Sequence, residues 1–301
     1  MTSIKIEQVN VSEKVIVLRK TGTGLNEGNI TCIEMDDGLI FIDTGRTAKE
    51  AKDFRKEMEK RFNKKTKLLL LTHYHVDHFY GVEAFKDVPI FATQKEKEEY
   101  LKHTRDGYLT KEDREKYIKN MLENAKKENS ELPDNMLNDW IPNFLNAKLF
   151  PITFGIKDEM TIGYNNRKII FKEVGGHTVG SAYIQVMPEN ILITGDNLNC
   201  EFAENSGCML GGMNWEGIKI LELFEELNPT KVIPGHGSVV YNDYITASKK
   251  YFSEVFTKLK VLKEDNIPLE EAIKNSSLPE FFEKEKHAQF DLILSSWYKQ
   301  L

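Results

Sequence analysis

Cysteine is scarce in this 301-residue chain. Cys32, Cys200 and Cys208 are an odd and sparse set, which argues for reduced thiols rather than a disulfide framework. Long apolar runs are absent too, so no stretch reads as a membrane span. The first residues, Met-Thr-Ser-Ile-Lys-Ile-Glu-Gln-Val, alternate like a strand and lack the apolar core of a signal peptide. Together these absences lead us to expect a cytoplasmic protein without a membrane partner. Positive charge is not in excess: 41 Lys and Arg stand against 47 Asp and Glu, a net charge of −6. That balance leaves no electrostatic footprint for nucleic acid. Nor is there a linker, a low-complexity segment or an internal repeat. What is present is ordinary for a globular protein, 40% hydrophobic and 29% charged residues, in a chain long enough to bury a large core.

Histidine is uncommon as well, with seven in all, and three of them fall in Lys67-Leu-Leu-Leu-Leu-Thr-His-Tyr-His-Val-Asp-His78. Leu68 to Leu71 have the length and composition of a buried strand. His73, His75, Asp77 and His78 follow at its end, four metal-competent side chains within six residues. The surrounding sequence is consistent with an α/β unit. Strands are expected at 4–9, 14–19, 30–34 and 39–42, the last two joined by Asp36-Asp37-Gly38. A helix is expected from about Thr47, with Ala51, Phe54, Met58 and Phe62 on one face, and a short strand at 88–92.

Residues 94–130 are strongly charged and helical in pattern, with a capping signal at Thr110-Lys-Glu-Asp113 and an apolar stripe of Tyr117, Ile118, Met121 and Leu122. Residues 133–142 read as a loop in which Trp140 packs. Strands are expected at 159–162, 168–174, 182–186 and 190–193, with a hairpin turn at Gly163-Tyr-Asn-Asn. Asn214 is a suitable N-cap for an amphipathic helix, and a last strand ends in Pro234-Gly-His-Gly237. The final sixty residues read as helical, with Phe290, Ile293, Leu294, Trp297, Tyr298 and Leu301 forming one stripe.

Four places share one design. The 73–78 cluster, His177, Asp196 and His236 each follow an expected strand, and the last three sit beside glycine. Strand ends hold ligands with the precision a metal site needs, and glycine permits close backbone approach. His73, His75, Asp77, His78, His177, Asp196 and His236 exceed the four donors of one tetrahedral zinc and suit two ions sharing a carboxylate. His103 and His287 lie in helical segments and read as non-ligands.

These motifs carry a resemblance. Thr72-His-Tyr-His-Val-Asp-His78 resembles the HxHxDH signature of the metallo-β-lactamase superfamily, and Gly176-His-Thr-Val-Gly-Ser181 resembles its second histidine motif. Thr194-Gly-Asp196, Pro234-Gly-His-Gly237 and Asp43-Thr44-Gly45 resemble its bridging-aspartate, last-histidine and early strand-end motifs. Order and spacing match over about residues 5–240. The resemblance implies an α/β fold, a four-layer αββα sandwich in residues 1–242 with a helical insertion at about 94–150 and C-terminal helices from 243–301 packed on the same domain. It implies that His73, His75 and His177 hold one metal, that Asp77, His78 and His236 hold a second, that Asp196 bridges them, and that Asp43 supports the ligands. Oxygen-reducing flavodiiron members usually carry glutamate where His75 stands, so two Zn2+ per chain are expected, with iron or manganese also compatible with the donors.

The expected activity is hydrolysis of an ester, thioester, lactone or amide bond of a small molecule by a metal-bridging hydroxide, with Asp77 handling its proton. Redox chemistry of the persulfide dioxygenase kind and β-lactamase activity are the alternatives within the same fold. The partner is expected to be a small-molecule substrate, not nucleic acid or membrane, and the protein a monomer or homodimer. Specificity is expected to reside in loop 21–28, insertion 94–150 and loop 197–213. Tyr74, Phe79, Tyr80, Phe202, Met209 and Met213 are the candidate pocket residues. Ser181, Cys200 and Cys208 have no assigned role.

Overall fold

Short apolar-rich segments in the first 42 residues form four antiparallel strands in the computed structural model, which describes residues 5–21, 27–105, 110–127, 132, 134, 136–164, 167–200, 209–210, 215–275, 277–279 and 290–301. They are β1 (Lys5–Asn10), β2 (Val15–Thr21), β3 (Ile30–Met35) and β4 (Gly38–Ile42). Met35 pairs with Gly38, so Asp36 and Asp37 alone make the β3–β4 turn. The chain then changes to βαβ logic. Helix α1 (Ala48–Phe62) leads to β5 (Thr66–Leu70), and a short α2 (Val76–Phe79) with a 3₁₀ segment (Tyr80–Phe85) leads to β6 (Ile90–Thr93). Helices α3 (Gln94–Arg105), α4 (Lys111–Lys127) and α5 (Ile141–Leu145) precede β7 (Phe154–Ile156). Strands β4, β5, β6 and β7 are mutually parallel, completing a mixed seven-stranded sheet in sequence order.

Every residue of β4 is buried, as its unbroken apolar run requires of a strand covered on both faces. On one face Phe41 meets Phe54 of α1 edge-on at 5.8 Å and Phe85 at 5.1 Å. Thr110 and Asp113 form the reciprocal cap expected for α4, through Thr110 N–H to Asp113 Oδ2 (3.1 Å) and Asp113 N–H to Thr110 Oγ1 (3.2 Å). The expected loop around Trp140 is instead helical. Residues Met136–Trp140 form a π-type turn that runs into α5, with Pro142 in the first turn, where its missing N–H is not needed.

One polar clamp ties this layer together. Arg55 of α1 donates to Ala84 O (2.6 Å), to Thr66 Oγ1 (3.0 Å) and through both Nη atoms to Asp87. Its guanidinium draws the Asp87 carboxyl below the usual carboxylate range. Asp87 is largely exposed, so most of the stabilisation comes from the carbonyl and hydroxyl bonds. Arg55→Met is expected to cost about 1–2 kcal/mol in urea unfolding at pH 7. A depressed native pKa stabilises above the unfolded value and is lost on acidification, so the deficit is expected to narrow as pH falls below about 4. An unchanged midpoint at pH 7 would refute the clamp.

Contact density divides the chain at residues 158/159. The second unit holds β8 (Glu159–Tyr164), β9 (Arg167–Glu173), β10 (Ala182–Met187), β11 (Ile191–Gly195), a small pair β12 (Leu198–Asn199) and β13 (Met209–Leu210), α6 (Gly217–Glu226), β14 (Lys231–Pro234), α7 (Asn242–Glu264), α8 (Leu269–Ala272) and α9 (Phe290–Gln300). Its five-stranded sheet runs β14-β11-β10-β9-β8, antiparallel except for the β11–β14 pair that α6 connects. Leu192 and Val232 pack with Phe224 of α6, Phe252 and Leu259 of α7, and Trp297 of α9. Alternating residues on the other face, Phe171, Ile184 and Ile193, are buried as well. The α9 stripe is core packing, since Ile293, Leu294, Trp297 and Tyr298 are all buried. The hairpin turn at 165–166 and the Asn214 cap lie outside the described residues, and the described helix begins at Gly217. Among the described residues, no helix is long and apolar enough to cross a membrane.

Candidate metal centre

In the first unit, parallel pairing brings the carboxyl ends of β4 and β5 to one edge, with Ile42 opposite Leu70. Such ends are where α/β sheets present functional groups. Asp43 leaves β4 with a left-handed φ of 58°, which aspartate tolerates better than most residues. That turn aims its carboxylate at the ligand loop. Oδ1 accepts from Thr72 N–H (2.8 Å), and Oδ2 accepts from Thr72 Oγ1 (2.7 Å) and contacts His78 Nδ1 (2.8 Å). Thr44 adds two bonds to His78 O, from its N–H (2.8 Å) and its hydroxyl (3.0 Å).

These bonds set proton positions. A carboxylate only accepts, so His78 Nδ1 is the protonated nitrogen and Nε2 is left with its lone pair. The Thr72 hydroxyl spends its one proton on Asp43, so at 3.0 Å it accepts from His73 Nδ1–H. His73 then also presents Nε2 as a donor for metal. Its ring lies 4.8 Å from that of His75 and 4.3 Å from that of His78. Buried Glu96, near the start of α3, accepts from Tyr74 N–H (2.9 Å) and pins the loop between His73 and His75.

Asp77 sits in the first turn of α2, with Oδ2 3.9 Å from His78 Nε2 and 3.8 Å from Arg46 Nη2. Arg46 is buried, 3.7 Å from Glu27 Oε1, and its guanidinium lies 5.6 Å from the centre of the Trp140 ring. Trp140 Nε1–H donates to the same Glu27 oxygen at 2.8 Å. Burial alone would lower the Arg46 pKa, but Asp77 and Glu27 outweigh it and raise it. Sequence reading did not single out Glu27, Arg46 or Glu96. Arg46 directly follows Asp43-Thr44-Gly45, and a charge ending an apolar strand-turn was its one local signal.

In the second unit, parallel β11 and β14 end together, with Gly195 opposite Pro234. Asp196 follows the first strand and His236 the second, while His177 precedes β10 at the same edge because β10 runs antiparallel to β11. His177 Nε2 lies 3.4 Å and His236 Nε2 3.3 Å from Asp196 Oδ2. Each backbone turn is held by an asparagine that sequence reading passed over. Asn197 Oδ1 accepts from His177 N–H (2.9 Å), and Asn199 Oδ1 accepts from His236 N–H (3.1 Å). The signal for both was a run of polar residues, Asp196, Asn197 and Asn199, in a fully buried stretch. Gly176 has φ 97°, and a Cβ there would stand 2.2 Å from Asn197 Oδ1; at Gly235 a Cβ would stand 1.9 Å from Asp196 Oδ1.

The donor chemistry fits a metal. Two ligands on a tetrahedral zinc at 2.0–2.1 Å stand about 3.3–3.4 Å apart. Asp196 Oδ2 keeps that spacing from two imidazole nitrogens at once, as a shared carboxylate must. The Ser181 hydroxyl accepts from Thr178 N–H (2.9 Å) and pairs with Thr178 Oγ1 (2.6 Å), bonds that hold the turn after His177. Cys200 is buried, and its N–H donates to His236 O. Burial pushes the Cys32 thiol up, which makes it inert. Of the candidate pocket residues, Phe79 is core, its ring centre 4.6 Å from that of Tyr100 with the planes tilted by 57°. Tyr74 is partly buried beside His75, while Tyr80 lines a cavity described below. Phe202, Met213, Cys208, His287, the Met209 and His103 side chains and most of loop 21–28 lie outside the described residues.

Solved structures share the fold across the chain. A metallo-beta-lactamase from Pontibacter korlensis superposes with a TM-score of 0.56 at 15% identity, over 83% of this chain and 99% of that one. The inverting sec-alkylsulfatase Pisa1 from Pseudomonas sp. gives 0.68 at 17% identity, over 100% of this chain, which spans half of Pisa1. Among curated proteins, a linear primary-alkylsulfatase of Pseudomonas sp. (strain ATCC 19151) is 40% identical over 53 residues, 18% of this chain and 10% of that protein. The family model for the metallo-beta-lactamase superfamily matches residues 23–236, so the chain belongs to that superfamily.

Proposed function

We propose that this protein is a dinuclear zinc hydrolase of small molecules, acting in the cytoplasm as a monomer or homodimer. Asp196 Oδ2, at 3.3–3.4 Å from two imidazole nitrogens, is the observation that carries the reading. His73, His75 and His177 would hold one ion, and Asp77, His78 and His236 the other, with Asp196 shared. The donor composition of these sets supports the assignment, each offering three nitrogen or carboxylate ligands. When bound, two such ions supply a nucleophile at neutral pH and a Lewis acid for the scissile group. The chain's own part is positional. Asp43 fixes the His73 and His78 tautomers, and Asp77, beside Arg46, is placed to hold the nucleophile's proton. Residues 1–242 would form the catalytic domain, with the helices from 243 packed on it.

The scissile bond is an ester, thioester, lactone or amide. A sulfate ester is the second reading, favoured because local sequence and whole-chain fold both point to alkylsulfatases. Elemental analysis of the purified protein is expected to give about two zinc ions per chain, as the donor count implies. His75→Ala and His236→Ala should each lower the zinc content and the activity. Retention of two ions by both variants would refute the ligand sets. A hydrolysis panel of carboxylic esters, thioesters, lactones, lactams and alkyl sulfates separates the two readings by which class turns over.

A further inference from the structure

A cavity of ≈ 370 Å³ opens in the first unit, large enough for a small organic ligand. One wall is Val76, between His75 and Asp77 of the ligand loop, and another is Arg46, 3.8 Å from Asp77. The opposite side comes from α4 of the insertion, which contributes Arg114, Lys116 and Tyr117. Tyr80 and Phe144 supply aromatic surface, stacked on each other at 5.3 Å. The insertion therefore builds one side of a pocket whose other side carries Arg46, Tyr80 and, from the ligand loop, Val76.

Its charge is distinctive. Three cations line it against the single carboxylate of Asp113, which is committed to the α4 cap through Thr110 N and Oγ1. Arg46 is balanced by Glu27 and Asp77, so discrimination falls to the next two cations. Arg114 is buried and positioned rigidly, with Nη2 on Leu145 O and Ala147 O (3.3 Å each) and its guanidinium 5.8 Å from the Tyr80 ring centre. Lys116 lies two residues further along α4, at the solvent side. A fixed guanidinium, a second cation and aromatic walls are complementary to an oxyanion on an aromatic or apolar body.

We infer that this cavity is the recognition pocket for an anionic group of the substrate, a carboxylate, sulfate-type or phosphate-type oxyanion attached to an apolar frame. That the anion belongs to a substrate rests on the hydrolase reading above; that the cavity binds it does not. The test is titration calorimetry of the metal-loaded, full-length protein with benzoate, benzenesulfonate and phenylphosphonate, and with benzyl alcohol as the uncharged control. At least one anion is expected to bind about tenfold more tightly than benzyl alcohol. The strongest of the three names the oxyanion class. Lys116→Glu, at an exposed position, should weaken that anion about fivefold to tenfold and Lys116→Gln about threefold, with benzyl alcohol binding and zinc content unchanged. Equal binding of anions and alcohol overturns the inference, and so does anion binding indifferent to both Lys116 variants, which would place the anion on the metals. Charge-dependent binding in a protein that fails every hydrolysis assay keeps the pocket and removes the hydrolase. Hydrolysis without charge-dependent binding does the reverse.

Discussion

Asp43→Asn is expected to lower zinc affinity by about 10- to 100-fold while the chain remains folded. The change is isosteric, and asparagine accepts the left-handed φ of 58° at this position. The damage is in the direction of hydrogen bonds. Asp43 offers acceptors only, to Thr72 N–H at Oδ1 and to Thr72 Oγ1 and His78 Nδ1 at Oδ2. An amide must put its NH2 at one of the two places. At the Oδ1 place it faces the Thr72 N–H, donor against donor. At the Oδ2 place it faces His78 Nδ1, which must then give up its proton to Nε2, the nitrogen needed for metal. Thr72 Oγ1 would accept from the amide and turn its proton toward His73 Nδ1, shifting that imidazole as well. One substitution thus misprotonates two ligands it never touches through the metal. Asp43→Ala should add a stability loss of about 2–4 kcal/mol, because Thr72 and His78 keep buried donors with no acceptor. Chelator competition and thermal melting separate the two effects. Asp43→Asn with wild-type zinc affinity would show that tautomer control is not the role of this residue.

The two kinds of residue involved here differ in how far they could be read ahead. His73, His75, Asp77 and His78 were legible as candidate ligands because four metal-competent side chains fall within six residues, and β5 is apolar enough to identify alone. His177, Asp196 and His236 were legible as strand-end groups beside glycine, and their order completed the family pattern. Asp43 entered by the same pattern, although its bonding did not. Glu27 and Arg46 were not legible, and Trp140 was legible as a packing residue but not as the partner of Glu27. Trp140 meets Glu27 across 113 positions of sequence, and no local periodicity encodes such a pairing. Pro133 and Pro142 suggested a loop where Pro142 in fact occupies a first helical turn, the one place a helix accepts it without loss. Asn197 and Asn199 were hidden for another reason. Their amides hold backbone N–H groups of histidines that lie 20 and 37 residues away, so their chemistry is in the fold and not in the motif.

Gly235→Ala is expected to reduce kcat/KM by about 100-fold or more without altering any ligand. The added Cβ would stand 1.9 Å from Asp196 Oδ1, 2.7 Å from Gly195 C and 2.9 Å from Asp196 N. Side-chain rotation relieves only the first of these, since the other two atoms are backbone. Gly235 N–H also donates to Gly195 O (2.9 Å) and to Leu198 O (3.2 Å), which ties the ends of β11 and β14 together. Relief must therefore come from parting the two strand ends that carry Asp196 and His236. Their 3.3 Å separation is the spacing of two ligands on one ion, and a shift of about 1 Å takes them off it. Overpacking should also cost about 1–3 kcal/mol of stability, less than the loss of a folded domain. Asp196→Asn provides the comparison, since it keeps the packing and directly weakens the carboxylate proposed to be shared. Both variants are expected to lose zinc and activity in parallel, with melting curves that remain cooperative. A Gly235→Ala protein that holds two zinc ions and turns over at the wild-type rate would remove Asp196 as the carboxylate common to both metals.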